Sequence, residues 1–398
     1  MVAAEAVEWA RSGAMALTGR ADGPGLRSAG SPASTVQRWL EALGPGMPDV
    51  RILGERAAIA GWTRRAPWSA GGAFRILPTR DGWFGVSLAR SSDVELLPAL
   101  VEGMVNDPWP DLGRWLADRT SAEALERTAI LGLPAAPVPS APPAPRRPGV
   151  VAVVGGARDL SDRPLIVDLS SLWAGPLCAH LLGLAGARVI KVESPARPDG
   201  ARQGPRAFFD LLHGGHESAA LDLQDRLLPA LLSAADVVIE ASRPRALRQA
   251  GLHAEEYVAR GTIWVSITAY GRDAENAMRV GFGDDVAAGA GLVAWEDGVP
   301  CPAGDALADP LSGVAAAAAA TAALRQPSGA LLDVSMHDLA AAARQEPAPG
   351  ASPAGDHTTA AHPNARLSSS SAPALGTHTR NLRTEFERWR LSGPGARR

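Results

Sequence analysis

The chain has 398 residues, a hydrophobic fraction of 46% and a formal net charge of -3 at pH 7. This length is sufficient for two domains. The near-neutral charge gives no reason to expect binding to nucleic acid or to an anionic membrane. The two cysteines provide neither a disulfide framework nor the spacing of a metal site, so we expect reduced thiols, no metal and a cytoplasmic location.

Residues 1–133 predict a small α+β domain. Two apolar segments, 73–78 and 83–88, have the composition of strands and flank the turn Arg80-Asp81-Gly82. Short amphipathic helices are predicted after them, over residues 97–105, 112–118 and 122–131.

Two segments have a composition that argues against regular structure. Residues 134–149 are rich in proline and predict a stiff linker between two domains. Residues 345–398 begin with a stretch rich in proline, serine and alanine, and predict an extended tail that closes the large domain.

Residues 150–344, between these segments, alternate apolar strands with helices. This pattern predicts a parallel sheet with helices on both faces, a Rossmann-like large domain. The pair Gly155-Gly156 lacks the spacing of a dinucleotide-binding loop. The alanine-rich tract 314–324 is too short to cross a bilayer and predicts a buried helix. The predicted strands are 165–169, 188–193, 237–240 and 263–267, and the predicted helices include 177–185 and 227–234.

The segments after the predicted strands are the place to look for a ligand site. In an open α/β sheet, ligands bind beyond the carboxyl ends of the strands. The first strand is followed by small residues and a helix, which favours an anion, and arginines follow the second and third strands. These segments are 170–176, 194–197, 241–245 and 268–271.

A run of motifs in this region points to one family. In chain order the motifs are Asp168-Leu169-Ser170, Trp173-Ala174-Gly175-Pro176, 186–193, 219–223, 235–240, Arg243-Pro244, 266–271, Asp309-Pro310-Leu311-Ser312-Gly313 and 332–338. Together they resemble the family III CoA-transferases, the group of formyl-CoA transferase and carnitine CoA-transferase. The resemblance implies that the large domain binds coenzyme A.

Other motifs resemble the small domain of the same family, in an unusual order. Residues 68–74 resemble its glycine-rich loop and the strand that follows, and 107–109 and 132–138 resemble later parts. The family places these after the aspartate, whereas here they precede it, so the chain looks permuted or derived from a trimmed tandem duplication. The resemblance implies that backbone N–H groups of Gly71 and Gly72 stabilise an anion in the reaction.

Asp309 is the main candidate for catalysis. The resemblance implies that its carboxylate is the nucleophile, with Asp305 as a second choice. The alternative is structural, because an aspartate that precedes a proline, here Pro310, is also a common helix N-cap.

The resemblance implies that CoA is a substrate and that no cofactor is tightly bound. Arginines are commonly solvated, and a tryptophan or tyrosine beside a strand end is often a core residue, so each CoA-contact candidate also has a structural interpretation. His216 stands where the family often has lysine. The CoA-contact candidates are Trp173, Ala174, Ser194, Arg197, His216, Ala241, Ser242, Arg243, Arg248 and Tyr270.

The predicted function is transfer of CoA between an acyl-CoA thioester and a carboxylic acid, through an aspartyl-CoA intermediate. One alternative is an acyl-CoA racemase or isomerase of the same fold. That chemistry needs a base on each face of the substrate, and residues 279–285 contain no histidine for the second base. Another is a non-catalytic CoA-binding paralogue. The resemblance also implies a homodimer, with chains interlinked as in the family.

Overall fold

The computed structural model describes residues 2–242, 244–345 and 359–392. It confirms the predicted class, an α/β protein with a large, mostly parallel sheet and a smaller α+β part. The strands are β1 (Phe74–Pro78), β2 (Trp83–Ser87), β3 (Ala135–Val138), β4 (Val150–Ala157), β5 (Leu165–Asp168), β6 (Arg188–Glu193), β7 (Glu217–Ala220), β8 (Val237–Glu240), β9 (Ile263–Thr268), β10 (Val293–Glu296), β11 (Val299–Pro302) and β12 (Ser328–Ser335). The α-helices are α1 (Val2–Arg11), α2 (Pro32–Leu43), α3 (Glu55–Ala60), α4 (Ser91–Glu95), α5 (Leu97–Val101), α6 (Pro108–Ala117), α7 (Ser121–Leu131), α8 (Ala174–Leu184), α9 (Arg206–His213), α10 (Leu227–Ala234), α11 (Pro244–Gln249), α12 (Ala254–Ala259), α13 (Gly283–Gly289), α14 (Ala308–Leu324), α15 (Met336–Gln345) and α16 (Thr379–Ser392).

The large sheet is doubly wound. Its strand order is β4-β12-β9-β8-β5-β6-β7, and all neighbours are parallel except the edge strand β4, which is antiparallel to β12. From β5 the chain continues to β6 and β7 on one side, then to β8, β9 and β12 on the other. This reversal between β5 and β8 creates a crevice at their carboxyl ends, the usual position of a ligand in such sheets.

One hydrophobic core lies between a face of this sheet and helices α8, α14 and α15. Helices α1 and α2 share this core, where Trp9 and Leu40 are each 1% exposed, and α2 packs against α14. The prediction that residues 1–133 form one small domain is therefore corrected for these two helices. The physical reason is that their apolar side chains pack into the core of the large domain, where α2 contacts α14 and α15, whereas the small domain has a core of its own.

The small sheet has the order β1-β2-β3 and is antiparallel, and helices α4–α7 pack beside it. Strand β3 lies inside the segment predicted as a linker, 134–149, so that prediction is wrong for its first residues. Pro137 is tolerated there because β3 is an edge strand. The later part of the segment is attached to the large domain, since Arg147 Nε donates to Asp338 at 3.3 Å.

The other face of the large sheet is covered by α10, α12 and α16. Helix α16 buries Leu382 and Phe386, so the segment predicted as an extended tail, 345–398, contains a packed helix. Residues 346–358 and 393–398 of that tail lie outside the described residues. Among the residues that the structure describes, no helix has the length and apolar character needed to cross a membrane.

Candidate active site

Asp309 occupies the second position of α14. The position of this helix depends on its close packing against α8. A Cβ added at Gly313 would lie 2.6 Å from the carbonyl oxygen of Ala174, so a glycine lets α14 approach the start of α8. Because α8 follows β5, the first turn of α14 lies near the carboxyl edge of the sheet. The N-cap residue of α14 is Leu307, without a side-chain cap, so the interpretation of Asp309 as an N-cap is wrong.

The loop before α14 is held in a strained conformation. Ala306 has a φ of 42°, in the left-handed region, and its N–H donates to Asp284 Oδ1 at 2.9 Å. The carbonyl of Ala306 accepts from the N–H of Asp309 at 2.8 Å. Asp284, at the start of α13, therefore fixes the loop that presents Asp309.

Arg56 of α3 also contacts this loop, although it lies 249 residues before Asp305 in the chain. Its Nε donates to Asp305 Oδ2 at 2.9 Å, and its Nη2 donates to the other carboxylate oxygen. Asp305 is 1% exposed, whereas 23% of the Arg56 side chain is exposed. The guanidinium also lies 4.6 Å from the ring of Trp173 and 5.4 Å from the ring of Trp62.

The environment raises the pKa of two carboxyl groups at this site, Asp309 and Asp284. Burial raises the pKa of Asp309 to about 7; Arg56 opposes this rise, and Asp284 and Asp305 add to it. Burial and the neighbouring Asp305 raise the pKa of Asp284 to about 6. Part of Asp309 remains exposed. A partly exposed carboxylate that ionises near neutral pH suits either a nucleophile or a base.

The predicted glycine loop lies beside the same cluster. The N–H of Gly72 donates to the carbonyl of Ser69 at 2.9 Å, in a tight turn where Gly72 has a φ of 82°. A Cβ at Gly71 would meet the Trp62 ring at 3.1 Å. The Ser69 hydroxyl lowers the pKa of Asp284, which connects the turn to the acid cluster.

Several predicted CoA-contact residues gather at the carboxyl edge of the sheet. Ser194 and Arg197 follow β6, and Ala241 and Ser242 follow β8. Ser194 donates to Asp222, and Ser242 Oγ donates to Glu240 at 2.9 Å, so these hydroxyls have partners within the protein. Arg197 and Ala241 are exposed.

The two other predicted arginines differ in what the structure shows of them. Arg243 lies outside the described residues. Arg248 is half exposed and forms an ion pair with Glu255 at 3.0 Å. Its charge is therefore already partly compensated.

Three further candidates are more deeply buried than their predicted roles suggest. Trp173, 2% exposed, packs edge-on against Phe208 at 5.4 Å, and Ala174 lies in the first turn of α8 with 5% exposure. Tyr270 is 2% exposed, and its ring lies 3.4 Å from the guanidinium carbon of Arg279. For these residues a packing role is the direct description of their contacts.

His216 is the one predicted contact residue at the opposite edge. It precedes β7, which is parallel to β6, so it lies at the amino edge of the sheet. Its ring is 5.6 Å from that of His213 and 6.4 Å from that of His180. Burial lowers the pKa of His216 to about 4, so it is neutral at physiological pH. His216 therefore lies apart from the candidates that follow the strands, and its role as a CoA contact stays a prediction.

Two features of the site were missed from the sequence. Arg56 and Trp62 come from the N-terminal segment and have no local pattern that connects them to Asp309. Lys191 was noted only as part of a motif, yet it is 1% exposed and pairs with Asp168 at 3.3 Å and Asp199 at 3.0 Å. Its signal was available, since a lysine inside an apolar strand requires buried partners.

Gly283 tests how tightly the site is packed. A Cβ there would lie 2.3 Å from the Ala306 carbonyl oxygen and 2.6 Å from Asp309 Oδ2. We expect Gly283→Ala to cost about 1–3 kcal/mol through overpacking, measured as a lower thermal unfolding midpoint. Gly113→Ala is the control, because its Cβ would enter open space in α6 and should leave stability unchanged or slightly higher. Equal midpoints for Gly283→Ala and the wild type would contradict the geometry.

The fold and the site together define a doubly wound α/β protein with a partly exposed carboxylate near the ligand-binding edge of the sheet. The sequence profile of CoA-transferase family III matches residues 164–379, more than half of the chain. The chain therefore belongs to CoA-transferase family III.

Individual relatives agree with the family match. The chain is 33% identical over 177 residues to succinyl-CoA:glutarate CoA-transferase of Mus musculus, a match that covers 40% of this chain and 41% of that protein. It is 34% identical over 200 residues to a probable fatty acyl-CoA transferase of Mycobacterium tuberculosis, covering 44% and 50%. A crystal structure of a CAIB/BAIF family protein from Brucella suis aligns with a TM-score of 0.41 and 27% identity, covering 47% of this chain and 55% of that one. The chain spans about half the length of the curated relatives it matches.

Proposed function

We propose that the protein transfers CoA between an acyl-CoA thioester and a carboxylic acid, with Asp309 as the covalent nucleophile. The observation that carries the proposal is the position of Asp309 in α14. Asp309 is partly exposed, does not cap its helix, and directly follows a loop fixed by Arg56 and Asp284. Names of relatives that include CoA-transferases of glutarate and of D-citramalate support the reaction class.

The proposed chemistry uses two exchanges at one carboxylate. The ionised Asp309 attacks the thioester carbonyl, and the carbon–sulfur bond breaks. This step releases CoA as a thiolate and leaves a mixed anhydride of Asp309 and the first acid. The thiolate then attacks the aspartyl carbonyl, which releases the first acid and leaves an aspartyl-CoA thioester. The acceptor carboxylate attacks that thioester, and the thiolate returns to the acceptor's acyl carbon, which restores Asp309.

The site would lower the barrier mainly by position and charge. A carboxylate is a weak nucleophile, so its orientation and the stabilisation of developing negative charge must supply much of the catalysis. The loop that contains Ala306 fixes the orientation of Asp309. For the stabilisation of charge, we propose the N–H of Gly71, whose turn lies beside the Trp62 ring and so near Arg56; the N–H of Gly72 already donates to the Ser69 carbonyl.

We propose that the CoA moiety lies along the carboxyl ends of β5, β6 and β8. Arg197 and Ala241 are exposed there and are available to a ligand. Arg248 would exchange part of its ion pair with Glu255 for a phosphate contact. Trp173 and Tyr270 would support this surface from below, because both are buried.

Trapping of the covalent intermediate tests the proposal. The protein is incubated with a panel of acyl-CoA thioesters and treated with hydroxylamine, and the peptide that contains Asp309 is analysed by mass spectrometry. We expect a hydroxamate at Asp309, together with transfer of CoA to an added acid. CoA binding without any adduct would favour the non-catalytic paralogue.

The racemase alternative gives a different result in the same samples. Proton exchange at the α-carbon would incorporate deuterium from the solvent without exchange of acids. A second carboxyl group, Asp284, acts electrostatically on Asp309, but its Oδ1 already accepts from the N–H of Ala306. Deuterium incorporation without acyl exchange would replace the transferase proposal.

The homodimer and the cytoplasmic location stay predictions from the resemblance and the composition. The boundary between the two domains is also a proposal: we place the start of the small domain after α3, because α1 and α2 belong to the large core. Limited proteolysis and light scattering would test both the boundary and the oligomeric state.

A further inference from the structure

Arg56 lies outside residues 164–379, the region that matches the family profile, and neither the profile match nor the relatives assign it a role. It reaches the acid cluster from α3, in the N-terminal segment of the chain. The charged groups that act most strongly on Asp309 are Arg56, Asp284 and Asp305. Arg56 is thus the one cation among them, set against two neighbouring carboxyl groups.

The contacts of Arg56 fix its guanidinium on three sides. Two of its nitrogens donate to Asp305, and its planar group lies near the rings of Trp62 and Trp173. Such a clamped guanidinium loses little freedom when it acts on a neighbouring group. The pair with Asp305 also holds the loop that leads into α14, because Asp305 is four residues before Asp309.

We propose that Arg56 is the positioning residue of this site: it anchors the Asp305 loop that leads into α14 and places a positive charge near the Asp309 carboxyl group. The inference rests on the proposed role of Asp309. It means that the aspartate half of the chain is completed in the same molecule by its N-terminal segment. Arg56 acts through Asp309 and Asp305, and needs no contact with substrate.

The charges around Asp309 predict the direction in which its pKa shifts when Arg56 is removed. An opposite charge close to a carboxylate lowers its pKa by about 1–3 units. Arg56 opposes the rise in the pKa of Asp309, while Asp284 on α13 and Asp305 in the preceding loop add to it. Without Arg56, the pKa of Asp309 rises above about 7, so a smaller fraction of Asp309 is ionised at neutral pH.

The test is the titration of Asp309 in Arg56→Gln, followed by the carbon-13 shift of its carboxyl group in the ligand-free protein. We expect the pKa of Asp309 to rise by about 1 unit or more. In kinetic assays the acidic limb of kcat/KM should move by the same amount, so activity falls about 5-fold at pH 7 and recovers near pH 9. Asp305→Asn should shift the pKa in the opposite direction, because it removes a neighbouring negative charge.

Two further variants keep the proposal falsifiable. Arg56→Lys retains the charge but loses the paired geometry, so we expect a nearly normal pKa with a lower kcat. Arg51→Gln is the control: its exposed partner is Asp49, and neither measurement should change. An unchanged pKa of Asp309 in both Arg56→Gln and Asp305→Asn would overturn the inference. Because the titration needs no substrate, it stands apart from any failure of the transferase proposal.

Discussion

Replacement of Asp309 by asparagine is expected to abolish acyl transfer and, at alkaline pH, to stabilise the protein. Asparagine has nearly the same shape but cannot form the anhydride or the aspartyl-CoA thioester. Loss of a covalent nucleophile lowers kcat by about 10³-fold or more. Initial rates of transfer, with CoA affinity measured separately by calorimetry, would show that chemistry is lost while binding is retained.

The stability effect follows from the pKa of Asp309. Burial raises the folded-state pKa from 3.8 to about 7. A carboxyl group whose pKa is raised on folding favours the folded state at low pH, and that contribution is lost as pH rises through about 7. At pH 8 the wild type therefore holds an unfavourable charge that Asp309→Asn lacks. We expect the thermal midpoint of the variant to exceed that of the wild type by about 2 °C or more.

The comparison of pH 8 with pH 5 separates this effect from repacking. At pH 5 Asp309 is largely protonated in the folded protein, so the difference between the two midpoints should be clearly smaller than at pH 8. Asp118→Asn is a suitable control, because Asp118 is an exposed residue at the end of α6. A stability gain that is the same at both pH values would show that the charge of Asp309 is not its source. Full transfer activity in Asp309→Asn would remove Asp309 as the nucleophile.

Local pattern predicted the large sheet well, because its strands carry their own signal. The runs at 188–193 and 237–240 are short and rich in valine and isoleucine, and they form β6 and β8 over those same residues. Strand β4 was not predicted, because the pair Gly155-Gly156 ends its run of valines. A Cβ at Gly155 would lie 2.3 Å from the carbonyl oxygen of Val258, so the glycine allows β4 to pack closely against α12.

The candidate site shows the same contrast between residues with a local sequence pattern and residues without one. Asp309 became a candidate from the sequence because a motif surrounds it. Arg56 did not, because its partner Asp305 is 249 residues away in the chain. His216 lies apart from the candidates that follow the strands, and sequence similarity to a family position does not reveal at which edge of the sheet a residue lies. Tertiary partners of charged residues are thus the part that one sequence leaves undetermined.

Lys191 supports the second prediction with a large effect, this time on stability. Its ammonium donates to the carbonyl of Ser170 and pairs with Asp168 and Asp199. All three charged residues are at most 3% exposed. Burial opposes the charge of Lys191, but the two carboxylates outweigh it and hold the pKa of Lys191 above its usual value.

Lys191→Met is expected to destabilise the protein by about 3–5 kcal/mol, because it leaves two buried carboxylates without a cation. The thermal midpoint should fall by about 5–10 °C. Arg51→Met removes a cation from an exposed pair with Asp49 and should change the free energy of unfolding by about 1 kcal/mol at most. Lys191→Met combined with Asp168→Asn and Asp199→Asn should recover part of the loss.

The pH dependence of the destabilisation by Lys191→Met shows whether the unpaired carboxylates cause it. Lys191 lowers the pKa of Asp168 and of Asp199, against the effect of burial. Without Lys191 both folded-state pKa values rise, so each acid is tolerated in its protonated form at low pH and penalised as pH increases. The destabilisation by Lys191→Met should therefore be larger at pH 8 than at pH 5. An equal loss at both values would assign the effect to packing of the lysine stem.

This ion cluster also connects the sheet to the candidate site. Asp199 Oδ1 accepts from the N–H of Leu172 at 3.0 Å, and Leu172 has a φ of 71°, which a non-glycine residue rarely adopts. The next residue is Trp173, whose ring supports the guanidinium of Arg56. Loss of Lys191 should therefore loosen the turn before α8 and, through Trp173, the charge that acts on Asp309. A rise in the pKa of Asp309 in folded Lys191→Met, at a temperature well below its midpoint, would show this coupling directly.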